Sequence, residues 1–369
     1  MIGEPTICSG RGPWIVKGKR LFLNLSGGDI LGLTSNKEFA TAFLQNLESA
    51  DLYNCPFFSY ESQSTRIPQN KLYEIKGQRK ALLFKDLTTL FNLLASHLLK
   101  RGYVLLVDEQ FEMTNIPLIR NINNQVQIFP HNSFSTIRKH IEAQSDSNFA
   151  IFVQTVYPLS SELLAVNELL EISQSDHVLL IIYESWADGL LGEAGEGLKS
   201  LISTIPQNSI IVGSYSHIHP LSFSYIASSE TFIDAFESDL KDQPFNPEAT
   251  EFQVGITLWF INFLSSLKSP LRKLSDNANY LRYELATKGF RVLGDFAPLI
   301  PVLVGEREKA LEFYNCLLEN KILANLLNYP LVPLGKSRIL LIPSVLHSKE
   351  DLDFALNKLE KVAKTLGII

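Results

Sequence analysis

The sequence contains few cysteines. It has 3 among 369 residues, Cys8, Cys55 and Cys316, an odd number placed far apart along the chain. This spacing offers no disulfide framework of the kind that holds small secreted domains together, and no CxxC pair that would indicate a metal or redox site occurs. We therefore expect a protein of a reducing compartment.

A long apolar run is also missing. The longest such run, from Val254 to Leu267, includes Thr257 and Asn262 and is shorter than the roughly 20 residues that cross a bilayer. It favours a buried helix. The first residues lack the basic segment followed by an apolar segment that marks a secretory signal. Together these features predict a cytoplasmic protein without a membrane span.

Charge of one sign is not concentrated anywhere in the chain. The net charge is -6, with 46% hydrophobic and 20% charged residues, a composition typical of globular and not of disordered proteins. Nucleic-acid binding requires a basic face, so nucleic acid is not an expected partner. Internal repeats and low-complexity segments are absent from the sequence.

What the sequence does contain is a regular alternation of apolar runs and helical patterns, which predicts an α/β fold with a mainly parallel sheet. Strands are predicted at Val104–Asp108, Phe149–Thr155, Val178–Tyr183, Ser209–Gly213 and Ser224–Ala227. Helices are predicted at Leu87–Lys100, Ser133–Ala143, Glu162–Ser173 and Leu198–Thr204.

The character of the chain changes after Ser269 and Pro270. Because 369 residues exceed what one core usually holds, we expect an N-terminal arm over residues 1–45, a large domain over 46–268 and a small α+β domain over 269–369. The elements predicted for the small domain are helices at Leu271–Lys288, Glu306–Asn320 and Lys349–Leu366, with strands at Phe290–Leu293, Leu299–Gly305 and Arg338–Ile342.

Four segments, in this order, resemble the α-oxoamine synthases, a family of fold-type I enzymes that use pyridoxal 5′-phosphate (PLP) and that includes 8-amino-7-oxononanoate synthase, glycine C-acetyltransferase and the serine palmitoyltransferase subunits. The first is similar to the family's opening segment, the second to its Asp-Glu-Ala-His stretch, the third to its cofactor-lysine motif and the fourth to its Pro-Thr-Val-Pro…Arg motif. The segments are Leu23–Leu33, Tyr183–Gly197, Gly213–His217 and Tyr329–Arg338. The resemblance implies a fold-type I aminotransferase-like fold.

The resemblance places His217 where the family has the lysine that forms a Schiff base with PLP. Imidazole forms no stable aldimine with the cofactor. His217 is therefore a candidate for a residual acid, base or non-covalent cofactor contact, or for a position without catalytic duty, and we favour the latter.

Other cofactor positions implied by the resemblance are also substituted. Tyr183 replaces the aspartate that pairs with the pyridine nitrogen, Trp186 replaces a histidine beside the cofactor's phenolic oxygen, and Glu112 stands near the position of the ring-stacking histidine. A phenol cannot stabilise a pyridinium as a carboxylate does. The phosphate-cradling turn corresponds to residues 85–89, which lack its glycine and carry Asp86.

Some positions keep the family's residue types. Ser214 and Ser216 match the hydroxyls that contact the cofactor phosphate, although ordinary hydrogen bonds at a strand end would explain them too. Arg338 matches the arginine that holds the substrate carboxylate, although a structural ion pair explains it equally well. The second family arginine corresponds to Leu340.

Two further site hypotheses have little support from the sequence. Lys80 and Lys85 are the nearby amines that could replace the missing lysine, but neither lies at the corresponding strand end. His217 and His219 are spaced as a possible metal pair, but zinc needs three or more ligands and no third is close in sequence.

These substitutions predict a degenerate α-oxoamine synthase-like protein without covalently bound PLP, acting as a structural or regulatory partner of a competent paralogue. The alternative is an 8-amino-7-oxononanoate synthase-like acyltransferase that condenses an acyl thioester with an amino acid. A third hypothesis is a protein that binds an acyl or carboxylate ligand. The resemblance implies a homodimer or a heterodimer, with Phe57, Phe58 and Tyr60 filling the approach to the partner's site.

Overall fold

The computed structural model describes residues 8–9, 12–49, 63–112, 126–144, 147–218, 223–241 and 247–369. The chain divides into two compact units. Unit 1 comprises Met1–Thr41, Pro158–Leu163 and Lys268–Ile369, and unit 2 comprises Ala42–Tyr157 and Leu164–Leu267.

Unit 2 is built on a seven-stranded sheet. Its strands are β4 (Lys80–Phe84), β5 (Tyr103–Asp108), β6 (Val126–Phe129), β7 (Asn148–Gln154), β10 (Val178–Tyr183), β11 (Ser209–Ser214) and β12 (Ser224–Ser228). The order across the sheet is β4-β12-β11-β10-β7-β5-β6. Neighbours from β11 to β6 are parallel, and β12 is antiparallel to both β11 and β4. The fold is therefore the fold-type I aminotransferase α/β fold predicted from the sequence, with a mainly parallel sheet.

The helices that accompany this sheet include α1 (Lys37–Ser49), α2 (Gln63–Lys76), α3 (Leu87–Lys100), α4 (Phe134–Ala143), α5 (Val166–Ile172), α6 (Glu230–Leu240) and α7 (Glu251–Phe263). Two short strands lie between β7 and α5: β8 (Val156–Tyr157) belongs to unit 2, and β9 (Glu162–Leu163) belongs to unit 1. The central strands are buried on both faces and consist of apolar residues, as helices on both sides of a parallel sheet require. One core cluster packs α3 and α6 against the sheet through side chains that include Leu94, Phe152, Ile181, Ile226 and Phe236.

Unit 1 contains two smaller sheets. Strands β1 (Cys8–Ser9), β2 (Trp14–Lys17), β3 (Arg20–Asn24) and β14 (Ile322–Leu323) form one sheet, and β13 (Ile300–Gly305), β16 (Ser337–Leu341) and β15 (Asn325–Leu327) form the other. Helices α8 (Lys268–Thr287), α9 (Arg307–Glu319) and α10 (Lys349–Thr365) cover them. Their shared core includes Leu281, Phe313, Ile339 and Leu356.

Three predicted elements differ from the structure. Residues 198–204 were expected to be helical, but only the 3-10 turn Gly197–Ser200 forms. Phe290–Leu293 makes a single bridge, from Val292 to Val302, instead of a strand. The helix expected from Glu162 begins at Val166.

Candidate functional site

The carboxyl ends of four parallel strands meet at one edge of the large sheet, where α/β proteins usually bind ligands. Strand β5 ends at Asp108, β7 at Gln154, β10 at Tyr183 and β11 at Ser214. The residues that follow these ends include Glu112, Trp186 and His217. The candidate site of the sequence analysis is therefore centred on this edge.

Tyr183 lies in an aromatic cluster at the end of β10. Its side chain is buried. Its ring meets Phe91 of α3 edge-on, with centroids 5.5 Å apart and planes at 88°, and lies 6.2 Å from the ring of Phe111. Edge-to-face contacts at these distances favour packing in the core. The position assigned to a carboxylate by the resemblance is thus part of the hydrophobic core that packs on α3.

Trp186 and His217 stack on each other. Their ring centroids are 4.3 Å apart and their planes differ by 22°. Burial lowers the pKa of His217 to about 4, and the nearby Asp188 carboxylate opposes this only in part. The imidazole is therefore neutral at pH 7. Its Nε2 atom is buried and has no hydrogen-bond partner among the residues that the structure describes.

The two serines before His217 differ in environment. The Ser214 hydroxyl is buried, donates to the carbonyl oxygen of Phe223 at 3.2 Å and accepts from the backbone N–H of Ser216 at 3.3 Å. Ser216 is exposed. The Ser214 hydroxyl thus stabilises its own turn.

Asp86 caps the N-terminus of α3. Its carboxylate accepts hydrogen bonds from the backbone N–H of Thr89 at 2.7 Å and from the Thr89 hydroxyl at 2.8 Å. A helix N-terminus attracts anions through its free N–H groups and its dipole. Here the chain supplies that anion itself, which opposes a bound phosphate at this helix end.

Glu112 follows β5 and is half-buried. Its backbone N–H donates to the side-chain oxygen of Gln154 at the end of β7. This bond fixes the position of the Glu112 backbone at the sheet edge.

Arg338 belongs to unit 1. Its guanidinium donates to the backbone oxygens of Lys336 at 3.0 Å and Leu159 at 2.8 Å. Burial lowers the pKa of Arg338, and the carboxylate of Glu162 opposes this shift. Part of its donor set is therefore already used by the unit's own backbone.

The two lysines considered as replacements are placed differently on the sheet. Lys80 begins β4 and pairs with Asp234 and Glu237, both at 2.8 Å. Since β4 runs parallel to β10, Lys80 lies at the amino edge of the sheet. Lys85 follows β4 at the carboxyl edge, with β12 and β11 between it and β10.

A buried ionic cluster was not anticipated from the sequence. Lys76, the last residue of α2, donates from its Nζ atom to both Glu184 and Asp188. The Tyr225 hydroxyl donates to Asp188 Oδ2 at 2.8 Å, and the backbone N–H of Leu198 donates to Glu184 Oε1 at 3.0 Å. The three charged side chains are each at most 1% exposed.

The charges within this cluster shift one another's pKa values. Burial alone would lower the pKa of Lys76, but Asp188 and Glu184 outweigh it and raise the pKa. Burial raises the pKa of Glu184 well above its ordinary value, Lys76 counteracts this, and Asp188 adds to it. A single ammonium thus serves two carboxylates, so the cluster favours the retention of a proton.

Gly213 is required beside this cluster. A Cβ atom at this position would overlap both an Asp188 carboxylate oxygen and the Tyr225 hydroxyl. Because Gly213 has no Cβ atom, the side chains of Tyr225 on β12 and of Asp188 in the loop after β10 can pack against its backbone. This is the one sequence signal that could have indicated the cluster.

A second polar network, also missed in the sequence, surrounds Asp108. The buried carboxylate accepts from His131 Nδ1 at 3.0 Å, from the backbone N–H of Asn132 at 3.0 Å and from the Tyr157 hydroxyl at 3.2 Å. These bonds tie the end of β5 to the loop before α4 and to β8. The network therefore holds the carboxyl end of β5 in place.

No group of three or more histidine, cysteine, aspartate or glutamate residues that could hold a metal ion occurs among the described residues. His219, Phe57, Phe58 and Tyr60 lie outside those residues. Within the same ranges, no helix is both long and apolar enough to cross a membrane.

Comparison with known proteins assigns the family. Residues 90–359 match the aminotransferase class I and II family. The chain belongs to this family. It is 27% identical over 359 residues to 8-amino-7-oxononanoate synthase of Thermoanaerobacter pseudethanolicus, covering 96% of this chain and 91% of the relative. The corresponding protein of Petrotoga mobilis is 25% identical over 371 residues, covering 99% and 94%.

Solved structures show the same fold. A serine palmitoyltransferase from S. paucimobilis with a bound PLP–myriocin aldimine superposes with a TM-score of 0.87 at 17% identity, covering 98% of this chain and 94% of that one. An 8-amino-7-oxononanoate synthase from Francisella tularensis gives a TM-score of 0.77 at 15% identity, covering 93% and 98%. At these identities the likeness shows the fold.

The side chains at the sheet edge do not fit PLP as the family resemblance would require. Position 217 offers a neutral imidazole and no primary amine. Position 183 offers a buried phenol among phenylalanines and no carboxylate. Asp86 places a carboxylate at the helix end suited to a phosphate.

Proposed function

We propose that this member of the aminotransferase class I and II family is a degenerate α-oxoamine synthase-like protein without PLP catalysis. In this proposal it acts as a structural or regulatory partner of a competent paralogue. The observation that carries the proposal is His217, which holds no amine and is stacked on Trp186 at 4.3 Å. Schiff-base chemistry requires a lysine amine at that position.

Two further features support the same conclusion. The buried position of Tyr183 against Phe91 removes the carboxylate that would keep a pyridine nitrogen protonated. The Asp86 cap opposes a phosphate dianion at the start of α3. Each change alone weakens cofactor binding. His217 removes the covalent bond, Tyr183 removes the partner of the pyridine ring, and Asp86 opposes the phosphate.

Incubation with PLP followed by borohydride reduction tests the absence of Schiff-base chemistry. Mass spectrometry should show the unmodified mass, while an active α-oxoamine synthase treated in parallel should gain a phosphopyridoxyl group. A stoichiometric adduct on one specific lysine of this chain would overturn the proposal.

Restoring the lysine gives a second test. His217→Lys supplies an amine but leaves Tyr183 and Asp86 in place, so we expect no turnover of amino acid and acyl thioester. The pair His217→Lys and Tyr183→Asp should bind PLP better than either single change. Turnover by His217→Lys alone at roughly 1 per second, a rate ordinary for enzymes, would contradict a degenerate site.

The competing proposal is an 8-amino-7-oxononanoate synthase-like acyltransferase. It is favoured by similarity to proteins of that name over 99% of this chain and by Arg338, which retains the family's residue type. The reduction test distinguishes it from the degenerate protein, because a working acyltransferase requires a lysine adduct.

A further inference from the structure

Trp186 and His217 form a flat stack at the carboxyl edge of two neighbouring parallel strands. Trp186 lies three residues after the end of β10, and His217 lies three residues after the end of β11. Their planes differ by only 22°. Because β10 and β11 pair directly, the two rings come from adjacent loops and face each other across the place where α/β sheets receive ligands.

The other aromatic side chain at the end of β10 lies in the core. Tyr183, at the end of β10, packs against Phe91 and Phe111 on the α3 side of the sheet. Two aromatic side chains therefore lie at the end of β10. Tyr183 packs in the core against α3, and Trp186, three residues later, stacks on His217 of the loop after β11.

We propose that the indole of Trp186 fills a slot above His217 in which the planar heteroaromatic ring of a ligand would otherwise stack. This inference rests on the proposed function and adds to it that the site is closed by its own side chain. Loss of the lysine prevents a covalent bond, whereas the indole prevents a ring from entering at all. Removal of the indole should therefore create a binding site that the native protein lacks.

The His217 ring gives the slot its preference for a planar ligand. The imidazole is uncharged at pH 7 and its Nε2 atom has no partner among the described residues. A flat ring that replaced the indole would recover the stacking contact with the imidazole. Aliphatic molecules of similar volume would recover only the buried area.

Chemical complementation tests the slot. Trp186→Ala should lower the Tm, and saturating indole should raise it again by about 2 °C or more. Cyclohexanol should have a smaller effect. The matched control is Trp259→Ala. Trp259 stacks on Phe263 of its own helix at 4.9 Å, so its truncation opens no slot between two loops and indole should not raise its Tm.

The unaltered chain gives a second measurement that does not depend on how well a variant folds. We expect it to bind neither indole nor 4-deoxypyridoxine 5′-phosphate, an analogue without the aldehyde, in equilibrium dialysis at submillimolar concentrations. Tight binding of the analogue, with a Kd of roughly 10 μM or below, would overturn the occupied slot yet leave the absence of covalent PLP intact. The absence of any indole effect on folded Trp186→Ala would overturn it too.

Discussion

Lys76 is the residue on which the buried carboxylates of Glu184 and Asp188 depend. Its ammonium is the cation that both Glu184 and Asp188 contact, and all three side chains are at most 1% exposed. Desolvated charges are tolerated only when they are paired. The pairing of Lys76 with Glu184 was not predicted from the sequence, because the two residues are 108 positions apart.

Lys76→Met should destabilise the protein strongly. The methionine fills a similar volume but leaves two carboxylates without a cation, a loss of about 3–5 kcal/mol in the free energy of unfolding. Urea denaturation measures it. Lys80→Met is the control, because Lys80 pairs with partly exposed Asp234 and Glu237, and such pairs are worth about 1 kcal/mol or less. Equal losses in the two variants would refute the importance of the buried cluster.

Glu184 should make stability depend on pH. Burial and the Asp188 carboxylate raise its pKa in the folded state above the unfolded value, against the opposing Lys76. The stability it contributes is therefore complete below the unfolded pKa and is lost as the pH rises through the folded pKa. We expect Glu184→Gln to flatten this decline, which begins as the pH rises above the pKa of a glutamate in the unfolded chain.

Urea unfolding of the native chain and of Glu184→Gln at several pH values measures this effect. Glu196→Gln is a suitable control, since Glu196 is partly exposed and lies outside the cluster. A steeper decline in Glu184→Gln than in the native chain would show that folding does not raise the pKa of Glu184.

Helix α3 shows how a local feature sets the start of a helix. Its predicted bounds, Leu87–Lys100, are those of the structure. Asp86 is a favourable N-cap residue, and the apolar positions Leu90, Phe91 and Leu94 follow at helical spacing. By contrast, the helix expected at residues 198–204 reduces to one turn, because Gly195 and Gly197 adopt positive φ and Pro206 follows.

Two substitutions at position 86 separate the roles of the cap. Asp86→Ala should cost about 1 kcal/mol of stability, because the Thr89 N–H loses its acceptor. Asp86→Ser should keep the cap and remove the charge, so its stability should stay close to that of the native chain. Thermal denaturation distinguishes the two. A loss in Asp86→Ser as large as in Asp86→Ala would mean that the charge, and not the cap, matters.

At the scale of the whole molecule, the surface of unit 2 favours association. Helix α7 is rich in apolar residues, and its Trp259 and Phe263 remain only partly buried. On α1, which contacts α7 through Phe43 and Phe252, Leu44 is 57% exposed and Leu47 is 44% exposed. A helix that is apolar on most sides usually packs against something on each side.

We expect a dimer that buries these helices, with a total interface on the order of 2,000 Å² or more. Sedimentation at low micromolar concentration should show it. Leu44→Lys should shift the equilibrium towards monomer, whereas Leu311→Lys, at a residue of unit 1 that is 46% exposed, should leave it unchanged. A native chain that sediments as a monomer at these concentrations would contradict the dimer.

The sequence by itself determined the α/β alternation, the bounds of elements such as β10 and α3, and the family resemblance that pointed to positions 183 and 217. Those inferences rest on local periodicity, cap residues and ordered motifs, which are written in consecutive residues. Only the tertiary structure decided that Tyr183 packs into an aromatic core, that Trp186 stacks on His217 and that Lys76 meets two carboxylates. Such contacts join segments far apart in the chain, and burial then sets their pKa values and their chemistry.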